Sequence, residues 1–216
     1  MSIIFNYNKI YLVLFFLFIY SFTNATEKLE NSRLIIIGDS LIQGYGLPKD
    51  KGFVNQLQKK LLEKKVNILL INGGVSGDTT AGGLSRIDWS ITDDINAVAI
   101  SLGANDMLRG IPPSFSKENL SKIIMKVKEN NLPILLIGIK SIENYGKEYK
   151  NEFDVMFSNL ADEFELFLYP DLMAPILNKE EDLSLYLQED MLHPNKKGVE
   201  IIVQGILPTI TNFIDS

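Results

Sequence analysis

The chain has 216 residues, 46% of them hydrophobic and 22% charged, which is enough to bury one sizeable core and excludes a disordered or collagen-like protein. A formal net charge of −6 argues against a nucleic acid or an anionic membrane held by bulk charge. With no Cys and one His, disulfides, a thiolate metal site and a cysteine nucleophile are excluded, and a zinc or iron site would lack ligands.

Lys9 precedes an apolar run, Ile10–Phe22, and Thr23 and Ala25 are small residues ahead of a cut after Ala25. This pattern predicts a secretory signal peptide over residues 1–25, and hence an exported, periplasmic protein. The run is short of the roughly 20 apolar residues of a membrane span, so an uncleaved anchor is the alternative. Residues 33–216 read as one domain. Leu34–Ile37 predicts a buried strand, and Lys51–Lys65 an amphipathic helix with Val54, Leu57, Leu61 and Leu62 at helical spacing. Asn67–Ile71 predicts a second strand, ended by Asn72-Gly73-Gly74, followed by a helix over Thr79–Ile91. Ala97–Leu102 predicts a third strand, Lys117–Asn130 a helix and Ile134–Ile139 a fourth strand. Glu148–Phe164 predicts a helix, Leu166–Leu168 a short strand, and Pro194–Phe213 a final helix kinked at Pro208. The alternation predicts an α/β domain: a five-stranded parallel sheet covered by helices on both faces. The lysines at 58–65 and 122–128 read as solvated helix faces.

In such a sheet, ligands bind beyond the carboxyl ends of the strands. The segments there are Gly38-Asp39-Ser40, Gly73-Gly74-Val75-Ser76-Gly77-Asp78, Gly103-Ala104-Asn105-Asp106 and, late in the chain, Asp190-Met191-Leu192-His193. Each has a plain structural reading: Ser40 as a helix cap, the glycines as a flexible turn, Asn105-Asp106 as another cap, His193 as a surface residue. Together they form the inventory for acyl transfer. A serine hydroxyl needs a base, imidazole is the side chain that titrates near neutrality, and His193 is the one available. Asp190 can hold the other ring nitrogen. Backbone N–H groups at Ser40 and Gly77 and the Asn105 amide are donors of the type that stabilises an oxyanion. The chain has no third glycine for a dinucleotide fingerprint after Gly44-Tyr45-Gly46, no phosphate-binding Gly-Lys-Ser/Thr loop and no Gly-x-Ser-x-Gly elbow.

At IIIGDSLIQGYGLP (35–48), NGGVSGDTTAGGLSRIDW (72–89), SLGANDMLRGIPP (101–113) and EDMLHPNKKG (189–198), the sequence resembles the SGNH hydrolase superfamily, or GDSL esterases. The likeness is greatest to its exported arylesterase, acyl-thioesterase I and lysophospholipase subgroup, and covers residue 33 to the C-terminus. It implies a flavodoxin-like three-layer fold, a Ser40–His193–Asp190 triad, an oxyanion hole of Ser40, Gly77 and Asn105, and no cofactor or metal. The segment Met107, Leu108, Arg109, Gly110, Ile111 matches a loop that borders the acyl group in relatives. Ala104 departs from the second glycine that many relatives carry. The expected partner is a small acyl ester or thioester, handled by a monomer without nucleic acid. A carbohydrate O-deacetylase, or a catalytically idle module that binds a lipid or glycan ester, is the alternative.

Overall fold

The structure, a computed structural model, describes residues 32–216. The predicted signal segment lies outside them. Five strands run parallel: β1 (Arg33–Gly38), β2 (Leu69–Gly74), β3 (Ala97–Ser101), β4 (Ile134–Ile137) and β5 (Phe167–Tyr169). Their order in the sheet is β2-β1-β3-β4-β5. The chain therefore leaves β1 toward one edge and returns at β3 to build toward the other. The carboxyl ends of β1 and β3 flank the crevice where a doubly wound sheet binds its ligand.

The helices are α1 (Ser40–Gln43), α2 (Phe53–Glu63), α3 (Thr80–Ser90), α4 (Ala104–Leu108), α5 (Pro113–Glu129), α6 (Gly146–Phe164), α7 (Ala174–Leu177) and α8 (Lys196–Asp215). Alternate strand residues face opposite layers. Leu34, Ile36, Ala97, Ala99, Leu135 and Ile137 pack with α2, α7 and α8. Ile35, Ile37, Val98, Ile100, Ile134 and Leu136 pack with α3, α5 and α6. Burial on both faces is why β1, β3 and β4 read as unbroken apolar runs rather than alternating ones.

The departures from the sequence reading are local. β2 runs through Asn72-Gly73-Gly74 instead of ending there, because these residues pair with Ile36, Ile37 and Gly38 of β1. A Cβ on Gly74 would lie 2.3 Å from the Gln43 backbone nitrogen, so the glycine admits α1 against the sheet. α2 starts at Phe53 because Lys49–Lys51 forms a 3-10 turn and Gly52 precedes the helix. α5 starts a turn early, with Pro113 at its first position, where a missing N–H costs nothing. β5 is shifted by one residue. α8 begins at Lys196, capped by the Asn195 side chain, so Pro194 lies outside it. Pro208 sits inside α8, which continues to Asp215. α4 is a short helix, Ala104–Leu108, that no sequence periodicity announces.

Candidate active site

Ser40 follows β1 directly. Gly38 makes that approach possible: a Cβ there would meet Ile42 at 2.2 Å and the Ser101 carbonyl oxygen at 2.9 Å. Asp39, not Ser40, caps α1; its Oδ1 accepts from the Leu41 N–H at 3.0 Å. Asp39 is 2% exposed, and burial raises its pKa to about 6. Ser40 thus occupies the first helical position, 8% exposed.

The second half of the site lies on the loop before α8. An isolated antiparallel bridge between Leu187 and Pro194 closes this loop, and the Gln188 N–H donates to the His193 carbonyl at 2.7 Å. Met191 turns it in the left-handed region at φ 56°. Asp190 Oδ1 accepts from the backbone N–H groups of Leu192 (2.9 Å) and His193 (3.0 Å), leaving Oδ2 to meet His193 Nδ1 at 2.7 Å. Those backbone donors are the main cause that holds Asp190 down at about 2, with the imidazole contact adding to it. His193 Nε2 is 2.9 Å from Ser40 Oγ across 153 positions of sequence. The Tyr45 ring lies against the imidazole, centroids 4.6 Å apart.

The loops after β2 and β3 complete the site. The Asn105 Nδ2 donates to the Asp78 carbonyl at 3.0 Å and has a longer contact, 3.4 Å, with Asp39 Oδ2. Gly77 is exposed with φ +81°, and a Cβ there would find open space, its nearest neighbour being Arg109 at 3.8 Å. Backbone conformation, rather than crowding, demands glycine at this position. Arg109 donates to the Gly77 carbonyl at 2.9 Å. Arg86 bridges Asp78 (Nε to Oδ2, 2.6 Å) and the Gly38 carbonyl (Nη2, 3.1 Å), tying this loop to the end of β1.

Asp106 is 1% exposed and is no helix cap. Its Oδ2 accepts from the Thr80 N–H at 2.8 Å, and its Oδ1 from Thr80 Oγ1 at 2.6 Å and Ser116 Oγ at 3.1 Å. One carboxylate therefore joins α3, α4 and α5 next to Asn105. Sequence reasoning missed the positioning roles of Asp39, Asp106, Thr80 and Arg86. Acidic and hydroxyl residues at strand ends were the signal, yet such residues serve equally well as caps.

Beside Ser40 and His193 opens a cleft of about 180 Å³, lined by Leu41, Met107, Leu108, Met173, Leu177 and Leu192 among others. The structure brings Ser40, Asp190, His193, Asn105, Met107 and Leu108 together around it. Arg109, Gly110 and Ile111 do not line it. Gly110, at φ 64°, turns the chain away after α4 and abuts the Tyr145 ring, and the Ile111 carbonyl accepts from the Tyr149 hydroxyl at 2.9 Å.

The model of the GDSL-like lipase/acylhydrolase family matches residues 36–201. The chain belongs to this family. An arylesterase of Vibrio mimicus is 37% identical over 206 residues, 94% of this chain and 97% of that protein. Thioesterase 1/protease 1/lysophospholipase L1 of Escherichia coli K12 is 31% identical over 214 residues, 97% of this chain and 98% of its own length. Among solved structures, the psychrotrophic esterase EstA from Pseudoalteromonas sp., inhibited by monoethylphosphonate, superimposes with TM-score 0.79 at 33% identity, covering 86% of this chain and all of EstA. The family's SGNH fold is the one described above: a parallel sheet between two helical layers. Among the described residues no helix is long and apolar enough to cross a membrane.

Proposed function

We infer that this GDSL-family chain is a carboxylic ester and thioester hydrolase working through a Ser40–His193–Asp190 relay. The observation that carries the reading is the 2.9 Å contact between Ser40 Oγ and His193 Nε2, with Asp190 behind the other ring nitrogen at 2.7 Å. A neutral imidazole with its proton on Nδ1, facing Asp190 Oδ2, presents the Nε2 lone pair to the serine hydroxyl. Ser40 Oγ attacks the acyl carbonyl and passes its proton to Nε2. Asp190, already ionised, stabilises the imidazolium. The oxyanion is received by the N–H groups of Ser40 and Gly77 and by Asn105 Nδ2, which is anchored on the Asp78 carbonyl and held only loosely by Asp39. His193 then protonates the leaving oxygen or sulfur, and a water molecule repeats the steps on the acyl-enzyme.

The apolar cleft receives the acyl group. A cavity of about 150 Å³ can hold benzene, so the roughly 180 Å³ here suits aryl or short-to-medium acyl groups. An apolar wall also favours this reading over a sugar deacetylase, whose substrate face is polar. Ser40→Ala should abolish hydrolysis of p-nitrophenyl butyrate and labelling by a fluorophosphonate while the circular dichroism spectrum stays native. Turnover or labelling retained in that variant would refute the assignment. The pattern of Lys9, Ile10–Phe22 and Ala25 supports export to the periplasm with cleavage after Ala25. N-terminal sequencing of the protein expressed in full should begin at Thr26.

A further inference from the structure

Proton transfer requires Ser40 Oγ and His193 Nε2 to keep their 2.9 Å separation, although they stand on different elements. Ser40 begins α1, against the sheet, and His193 lies on the loop before α8. That loop is well held at its root. The Asn195 side chain donates to the carbonyls of Leu185 (3.1 Å) and Leu187 (3.0 Å), and its backbone N–H to the Tyr186 carbonyl at 2.8 Å. These bonds stay within the loop and its junction with α8. The Ser40–His193 contact cannot itself hold the two halves together through the cycle. Acylation of Oγ removes the hydroxyl that makes it, and the imidazole must still be in place to activate water.

Gln188 reaches across. Its backbone N–H donates to the His193 carbonyl at 2.7 Å, and its carbonyl accepts from the Met191 N–H at 3.0 Å. Its side-chain Nε2 donates to the Pro194 carbonyl at 3.0 Å and to the Tyr45 carbonyl at 2.8 Å. A primary amide carries two N–H bonds on one nitrogen, and here one is spent on each side of the site. The Tyr45 N–H in turn donates to the Ser40 carbonyl at 3.0 Å. Among the described residues, the Gln188–Tyr45 bond is the one hydrogen bond, apart from the reacting contact, between residues 186–195 and residues 38–52. Gly46 leaves room for it, since a Cβ there would collide with Gln188 Oε1. The tied segment also supplies the Tyr45 ring that backs the imidazole.

We propose that Gln188 is a positioning residue of the hydrolase: its side-chain amide ties the His193 loop to the Tyr45 segment and so sets the distance between imidazole and Ser40 in both halves of the reaction. The proposal rests on the hydrolase reading above and adds no covalent step to it. Gln188 does not line the acyl cleft, so its effect belongs in kcat rather than KM.

Gln188→Met keeps the length of the side chain and removes both donors. With p-nitrophenyl butyrate, kcat should fall about ten- to hundredfold, the scale of a misplacement near 1 Å, while KM stays within about twofold. The rate of fluorophosphonate labelling should fall in parallel. Gln188→Glu, which fits the same space without donors at pH 8, should show the same loss, and it replaces the Met variant if that variant does not fold. The chain has one histidine, so its ring signals in NMR are unambiguous. Because Asp190 lies within the loop, the Nδ1-protonated tautomer should persist in both variants, while the nuclear Overhauser contact between the ring and the Ser40 Hβ protons weakens. Combined with Tyr45→Ala, Gln188→Met should cost much less than the product of the two single losses, as for two residues acting through one contact. Native kcat in the Met variant, a loss confined to KM, loss of the tautomer, or single losses that multiply in full would each overturn the proposal and leave the hydrolase reading standing. If the native chain neither turns over nor is labelled, the hydrolase reading fails. The tie is then judged by the Overhauser contact alone: its weakening in Gln188→Met supports the tie, and an unchanged contact removes it.

Discussion

Ser40 is the buried first residue of α1, directly after the turn from β1, whereas His193 stands on a loop whose residues Met191 and Leu192 are 48% and 50% exposed. The serine is held by the sheet itself. Gly38 and Gly74 allow close packing around it, and Asp39 is sealed beneath it. The histidine is held by a clip of hydrogen bonds, two of them to one oxygen of Asp190. A position set by core packing tolerates the loss of one polar contact, while a position set by a few hydrogen bonds does not. Asp190 consequently has two duties, shaping the loop with Oδ1 and orienting the ring with Oδ2.

The largest effect should come from breaking the second duty. Asp190→Asn keeps an acceptor for the backbone donors but can present an N–H to Nδ1, favouring the wrong tautomer. A fall in kcat on the order of 10⁴-fold is expected, read with p-nitrophenyl butyrate, and a fall below tenfold would detach Asp190 from the ring's orientation. Because Asp190 is drawn down to about 2, the stability its ionised carboxylate contributes is fully present above the ordinary carboxylate value near 4 and is lost as pH falls toward 2.

A smaller but still large effect is expected on the scaffold side. Asp106→Ala leaves the Thr80 N–H and two hydroxyl groups without their buried acceptor, at about 1–3 kcal/mol for each donor that finds no substitute. Urea unfolding should show a loss of at least about 3 kcal/mol. Activity should drop through kcat, since the same carboxylate braces α4, which carries Asn105. An unchanged midpoint would mean that water replaces the carboxylate and that the brace is dispensable.

The smallest effect has the opposite sign. Burial raises Asp39 to about 6, so the folded chain holds this proton more tightly than the unfolded chain does. Stability is therefore fully retained below the ordinary carboxylate value near 4 and declines as pH rises toward 6. The difference corresponds to about 3 kcal/mol at most. Asp39→Asn should stabilise the protein by about 1–3 kcal/mol at pH 7.5 and by nearly nothing at pH 4. Equal unfolding midpoints at both pH values would show that Asp39 carries no such burden.

The strands β1, β3 and β4 were legible because burial on both faces leaves an apolar run that no helix periodicity imitates. Gly73 and Gly74 misled, since the same residue that ends a strand also permits one backbone to approach another, and sequence does not distinguish the two. Pro112-Pro113 could have marked the start of α5, given proline's place at the first helical position. For Asp39 and Asp106 no local signal exists: whether a carboxylate caps a helix or is buried against another element depends on what packs over it. Arg109, Gly110 and Ile111 resemble a loop that borders the acyl group in relatives, and only the through-space arrangement places them outside the lining of the cleft beside Ser40.

By itself the amino-acid order determined the layered sheet, the residue types available for acyl transfer and the strand ends that bear them, because hydrophobic periodicity and side-chain chemistry are local properties. The tertiary structure alone decided that His193 meets Ser40 across 153 positions, that an apolar cleft opens beside the pair, and that two carboxylates, Asp39 and Asp106, are buried next to it. Those facts depend on distances through space, set when the crossover at β1 and β3 closes the sheet and brings separate loops to one edge.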